Sequence, residues 1–165
     1  MSELKSNIVS LLTKFNVTPV RPTAVPVALP QCLIVSPSQS RRAMLASGAN
    51  DAGWDAVVCD DKHGALFEFH RTRFELAMID VEAYGEGIPD GYRDLCEQLS
   101  QESRDLLLAV CGHEGDPMEE IWARQLGVWL YLPGVTDGDD MMSLCSEARK
   151  IADELHGRTA QQEVS

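Results

Sequence analysis

The chain has 165 residues, 44% of them apolar and 24% charged, with 26 acidic against 14 basic side chains and a formal charge of −12. That length suits one core-bearing domain with a short appendage, and the negative charge disfavours electrostatic capture of nucleic acid or of an anionic membrane. No apolar stretch approaches the span of a bilayer, and Met1–Phe15 lacks the basic start and cleavage site of a secretion signal, so a cytoplasmic protein is expected, with neither nucleic-acid nor membrane partners.

Leu4, Ile8, Leu11, Leu12 and Phe15 recur at helical spacing and predict an amphipathic helix over 3–15. Pro19, Pro22, Pro26 and Pro30 then mark an extended linker, so that 1–30 is a helix with a Pro-rich linker, 31–157 the folded domain and 158–165 a polar tail. Within the domain, Cys32–Val35 reads as a buried strand stopped by Ser36-Pro37-Ser38, and Gln39–Ser47 as a helix with Gly48 and Gly53 beyond it. Trp54–Cys59 is a second strand, Asp61–Arg71 a helix with Ala65, Leu66 and Phe69 inward, and Phe74–Ile79 a third strand. Asp90–Gln101 is the next helix and Asp105–Cys111 the fourth strand. Asp116–Leu126 is a helix ended by Gly127, and Val128–Leu132 is the fifth strand. A last helix, Asp139–Leu155, carries Met141, Leu144, Cys145, Ala148, Ile151, Ala152 and Leu155 on one stripe and should stop at Gly157. Cys32, Cys59, Cys96, Cys111 and Cys145 form no C-x-x-C pair and suit reduced thiols packed as small hydrophobes, not a disulfide framework or zinc site.

Alternating strands and helices of this length predict an α/β fold: a doubly wound, five-stranded parallel sheet of flavodoxin-like type with right-handed crossovers. The strand order 2-1-3-4-5 follows by analogy. In such sheets chemistry sits beyond the carboxyl ends of the strands, and there the third strand ends in Asp80, followed by a loop carrying Glu82, Tyr84, Gly85 and Gly87. A carboxylate at that position could act as a nucleophile or a metal ligand.

Several segments, in this order, resemble the receiver domain of bacterial response regulators over roughly 31–157. They are Leu33-Ile34-Val35, then Asp60-Asp61-Lys62-His63-Gly64-Ala65-Leu66, then Glu75 to Asp80, and the run Ala123 to Leu132. The resemblance implies a phospho-acceptor at Asp80, Mg²⁺ held by an acidic pair after the first strand, a hydroxyl ending the fourth strand and a lysine ending the fifth. Each group manages charge as a phosphoryl group arrives. Here the acidic pair falls on Ser36 and Pro37, the hydroxyl on Cys111 followed by Gly112, and the lysine on Gly134. Asp80 and the fifth-strand aromatic Tyr131 survive. The expected pocket is therefore degenerate, made of Ser36, Pro37, Glu82, Cys111 and Gly134 around Asp80. With three charge-managing groups lost, useful phosphoryl transfer is not expected.

Trp122, Trp129 and Tyr131 cluster around the fourth helix and fifth strand and are candidates for a switch or partner surface, although core packing is the commoner fate of such aromatics. The loop His113-Glu114-Gly115-Asp116 offers metal-ligating types near Asp80. No dinucleotide, P-loop or nucleophile-elbow motif occurs, so an enzyme is not expected. The reading is a receiver-like signalling module acting by protein–protein contact without phosphorylation. Its expected partner is a histidine kinase, a signalling complex or a second copy as a homodimer. No cofactor is expected, with Mg²⁺ entering only if Asp80 is a working phospho-acceptor. Two alternatives stay open: an atypical acceptor in a two-component phosphorelay using Asp80 with Glu82 or Glu86, and a flavodoxin-like small-molecule-binding protein.

Overall fold

A computed structural model describes residues 28–82, 91–134 and 137–164, with side chains described as far as 157. The expected N-terminal helix and most of the linker lie outside the described residues, as do Tyr84, Gly85, Glu86 and Gly87. The elements run β1 (Gln31–Val35), α1 (Gln39–Asp51), β2 (Asp55–Cys59), α2 (Lys62–Arg71), β3 (Leu76–Asp80), α3 (Tyr92–Glu102), β4 (Leu107–Gly112), α4 (Pro117–Leu126), β5 (Leu130–Pro133) and α5 (Gly138–Val164). All strands are parallel, in the order β2-β1-β3-β4-β5. The predicted topology is the observed one.

The three central strands are buried on both faces, which is why they read as unbroken apolar runs. On one face Cys32, Ile34, Met78 and Ala109 pack against Leu45 and Ala49 of α1 and Met141, Cys145 and Ala148 of α5. On the other, Leu33, Ala77, Ile79 and Val110 meet Ala65 of α2 and Tyr92, Leu95 and Leu99 of α3. The indole of the buried Trp54 donates to the Cys145 carbonyl at 2.9 Å and ties the start of β2 to α5.

Caps set several boundaries. Ser38 accepts from the Arg41 amide at the start of α1, Asp61 from Gly64 at the start of α2, and Asp116 from Glu119 at the start of α4. Gly127 ends α4 in the left-handed region at φ 78°, as its place in the sequence predicts.

Two glycines depart from expectation. Helix α1 continues past Ser47 to Asp51, because Gly48 lies inside it where α5 crosses closely: a Cβ on Gly48 would stand 2.9 Å from Met141 Cβ. Helix α5 runs through Gly157 to Val164 and does not stop at Leu155. Gly157 marks no stop, since its φ is not left-handed and it meets nothing that would end the helix. The segment read as a polar tail is therefore helical to Val164.

Candidate functional site

Strands β1, β3 and β4 end side by side, with Val35 paired to Ile79 and Asp80 to Cys111. Chain order reverses between β1 and β3, so the crevice beyond them is the topological switch point where such sheets place their sites. Asp80 is fully buried there. A buried carboxylate must be paired or hydrogen-bonded, because stripping its hydration shell is expensive even after the protein relaxes around it.

The pairing partner is Arg41, in the first turn of α1. Its Nε donates to Asp80 Oδ2 at 2.6 Å and its Nη2 to Oδ1 at 3.0 Å, a fork on both carboxylate oxygens. Ser36 Oγ donates to Oδ2 at 2.7 Å, and the Glu82 amide donates to Oδ1 at 3.2 Å. Glu82 turns its Oε2 to within 3.0 Å of Arg41 Nη2, an ion pair without hydrogen-bond alignment. The guanidinium belongs to a residue only 7% exposed, so it fills the space above Asp80 instead of reaching over it from solvent. Arg42 donates from Nη1 to the Ser36 carbonyl at 2.7 Å and fastens the β1–α1 turn.

The residues expected around Asp80 divide between contact and periphery. Ser36 bonds Asp80, and Cys111 is its cross-strand neighbour, with the Cys111 carbonyl accepting from the Val81 and Glu82 amides. Burial, and next the Asp80 charge, push the Cys111 thiol well above its usual range, so it faces the site as a neutral group. Pro37 is exposed, and its side chain carries no group that could bond Asp80. Gly134, at φ 68°, closes the β5 end by donating to the Gly112 carbonyl at 3.0 Å, with Glu114 beside it. The Mg²⁺ that the receiver resemblance implies does not fit this pocket. Ser36 and Pro37 bring no carboxylate to it, and a guanidinium already occupies both oxygens of Asp80.

The three aromatics do not form one cluster. Trp129 packs on the α1/α5 face, whereas Trp122 and Tyr131 pack on the opposite one. The change of face follows from position: Trp129 precedes β5, so strand alternation does not hold it beside Tyr131. Trp122 lies under the Arg93 guanidinium, 4.9 Å from its ring centroid. Tyr131 points inward and donates to Glu119 Oε1 at 2.8 Å. Burial, then that bond to Glu119, raise the phenol well above its usual range.

Glu119 is the residue the sequence hides, being 1% exposed. It also accepts from the His113 amide at 2.7 Å, and its Oε2 lies 3.0 Å from His113 Nδ1. The His113 loop thus turns to Glu119. Gly112 makes this possible, because a Cβ there would strike both Glu119 Oε1 and Tyr131 Oη.

No protein-family model matches the chain, and no curated protein matches it. Solved structures do. NtrX from Brucella abortus, solved in complex with ADP, superimposes with a TM-score of 0.67 at 14% identity, over 80% of this chain and 30% of that one. A CheY-like response regulator receiver domain protein from Methanospirillum hungatei gives 0.64 at 12% identity, covering 77% and 99% of the two chains. The chemotaxis response regulator CheY4 of Vibrio cholerae gives 0.62 at 17%, covering 73% and 99%. The chain thus spans under a third of NtrX and nearly the full length of the other two. At these identities the likeness establishes the fold, and the fold is the receiver fold.

Proposed function

We propose that the protein is a receiver-like signalling module that acts by contact with another protein and does not work by phosphoryl transfer. The observation that carries this reading is the Arg41–Asp80 fork. A phospho-acceptor must offer a free carboxylate oxygen to the incoming phosphorus and share a metal with neighbouring acids. Asp80 has both oxygens bonded to a built-in cation, which supplies permanently the positive charge that a metal would supply reversibly. Arg41 also takes the Glu82 carboxylate, the described candidate for replacing the lost acids. Tyr131 and Cys111, at positions where receivers carry moving groups, are fixed by Glu119 and by burial.

The outer face of α4 supports the partner-binding half of the reading. Met118 and Ile121 are 70% and 47% exposed, on one side of the helix and next to Trp122. Among the described residues no helix is long and apolar enough to cross a membrane. The test is amide NMR during titration with Mg²⁺ and beryllofluoride, a mimic of an aspartyl phosphate. The proposal predicts no saturable shifts at Asp80, Cys111 or Tyr131. Saturable shifts there would sink it and restore Asp80 as an acceptor.

A further inference from the structure

The geometry points to a second site: we propose that His113, Asp116 and Glu119 bind one first-row divalent metal ion of the zinc class, open to the crevice beyond β4 and β5. One ligand atom from each of the three lies within 4.8 Å of the other two. His113 Nδ1 and Glu119 Oε2 are 3.0 Å apart, close to the spacing of adjacent ligands around an ion that holds each at about 2.1 Å.

Two further observations point to a cation. Glu119 is almost wholly buried, and the Arg93 guanidinium stands 4.0 Å from its Oε2, beyond hydrogen-bond reach. Asp80, by contrast, is a buried carboxylate with a guanidinium at 2.6 Å. Buried carboxylates are ordinarily matched by a cation or a metal, and at Glu119 the close position is held by His113 at 3.0 Å, with Arg93 at the 4.0 Å limit of an ion pair, so an ion shared with His113 would stand nearer than the guanidinium. The second observation is a cavity of about 230 Å³ that reaches two of the three residues, His113 and Asp116, and is lined also by Glu120, Tyr131 and Pro133, Glu119 lying outside its lining. It leaves room for water or a ligand on the remaining coordination positions, as an open site requires.

The hydrogen bonds around Glu119 sort its two oxygens. Tyr131 and the His113 amide hold Oε1, which fixes the plane of the carboxylate and turns Oε2 toward His113 Nδ1, where an ion would replace their direct contact, the duty that outer-shell donors perform at metal sites. One imidazole with two carboxylates suits zinc, manganese or cobalt better than magnesium, which prefers oxygen alone. Binding requires neutral His113 and displaces a proton from Nδ1 wherever that nitrogen carries one. This inference uses none of the Asp80 contacts and stands or falls separately from the reading of that pocket.

The experiment is titration of the full chain with Co²⁺ and Zn²⁺ at a pH of about 7.5, above the ordinary imidazole range, followed by calorimetry and by the visible spectrum of bound Co²⁺. The expected result is one ion per chain, visible ligand-field bands and no near-ultraviolet thiolate bands. His113→Gln and Asp116→Asn should each weaken binding by about 10–100-fold with circular dichroism unchanged. Absence of stoichiometric binding, thiolate bands, or affinity unchanged in both variants would overturn the proposal. Should a variant fail to fold, the wild-type stoichiometry and Co²⁺ spectrum still decide.

Discussion

Arg41 stands where a cation is locally unfavourable, in the first turn of a helix whose amide dipoles already point positive charge outward. What holds it there is Asp80, and each neutralises the other in a site neither could occupy alone. Removing one partner of a buried pair typically costs about 3–5 kcal/mol, because the survivor is left charged and dry. Arg41→Ala is therefore predicted to lower stability by about that amount in urea denaturation. Arg41→Met combined with Asp80→Asn and Glu82→Gln should recover most of the loss, since the amide at position 80 would still accept from Ser36 and no carboxylate would be left without its cation. A loss under about 1 kcal/mol in the single variant would mean the pair is solvated after all. The strand-end acid is legible in the sequence and its partner is not. The one available signal is the pair Arg41-Arg42 in a helix first turn with no acid beside it, and sequence spacing does not reveal which of two arginines turns inward. Glu119 is hidden for a related reason. Asp116-Pro117-Met118-Glu119 reads as a capping box, whose glutamate is ordinarily solvated, although Glu119 and Ala123 share the buried side of α4. Cys59 gives a further prediction at this scale. Burial first, and then Glu68, Asp61 and Asp60, push its thiol up to about 11, so the nucleophilic thiolate is scarce at neutral pH. Alkylation by iodoacetamide at a pH of about 8 should run about a hundredfold slower than for free cysteine and rise with pH until about 11. Rapid labelling under those conditions would contradict this environment.

At the scale of elements, apolar runs locate β1, β3 and β4 within a residue or two, because burial on both faces leaves no other composition open to them. The edge strands β2 and β5 are only partly covered, and β5 starts two residues later than the run Val128–Leu132 suggests. Glycine is the ambiguous letter. Gly127 ends its helix, Gly48 lets two helices touch, and Gly157 does neither. Two substitutions separate the last pair. Gly48→Ala gains up to about 1 kcal/mol of helix propensity but drives a Cβ into Met141, a clash with side-chain root and backbone that should cost about 1–3 kcal/mol. Its predicted net effect is a lower melting temperature. Gly157→Ala meets nothing and should raise stability by up to about 1 kcal/mol, read by the same thermal melt. A stabilising Gly48→Ala would show that α1 and α5 have room between them for a methyl group.

For the whole molecule, the fold class and strand order are legible because alternating units of this length admit few topologies, and right-handed crossovers remove most of those. The chemistry is legible only as a loss. Ser36, Cys111 and Gly134 stand where the receiver resemblance implies an acid, a hydroxyl and a lysine, whereas Arg41, the cation bonded to Asp80, lies on the helix that follows Ser36. The same receiver-type sheet thus presents a carboxylate neutralised from within, a fixed aromatic on β5 and an apolar patch at Met118 and Ile121. In the function proposed above, these are the parts of a module whose binding face does not wait for a phosphoryl group. The most direct measurement is the intact mass of the protein after incubation with acetyl phosphate and Mg²⁺, beside Asp80→Ala. The account predicts no phosphate adduct in either sample. An adduct on the wild type that disappears in Asp80→Ala would contradict it, because the Arg41 fork would then have to open for chemistry.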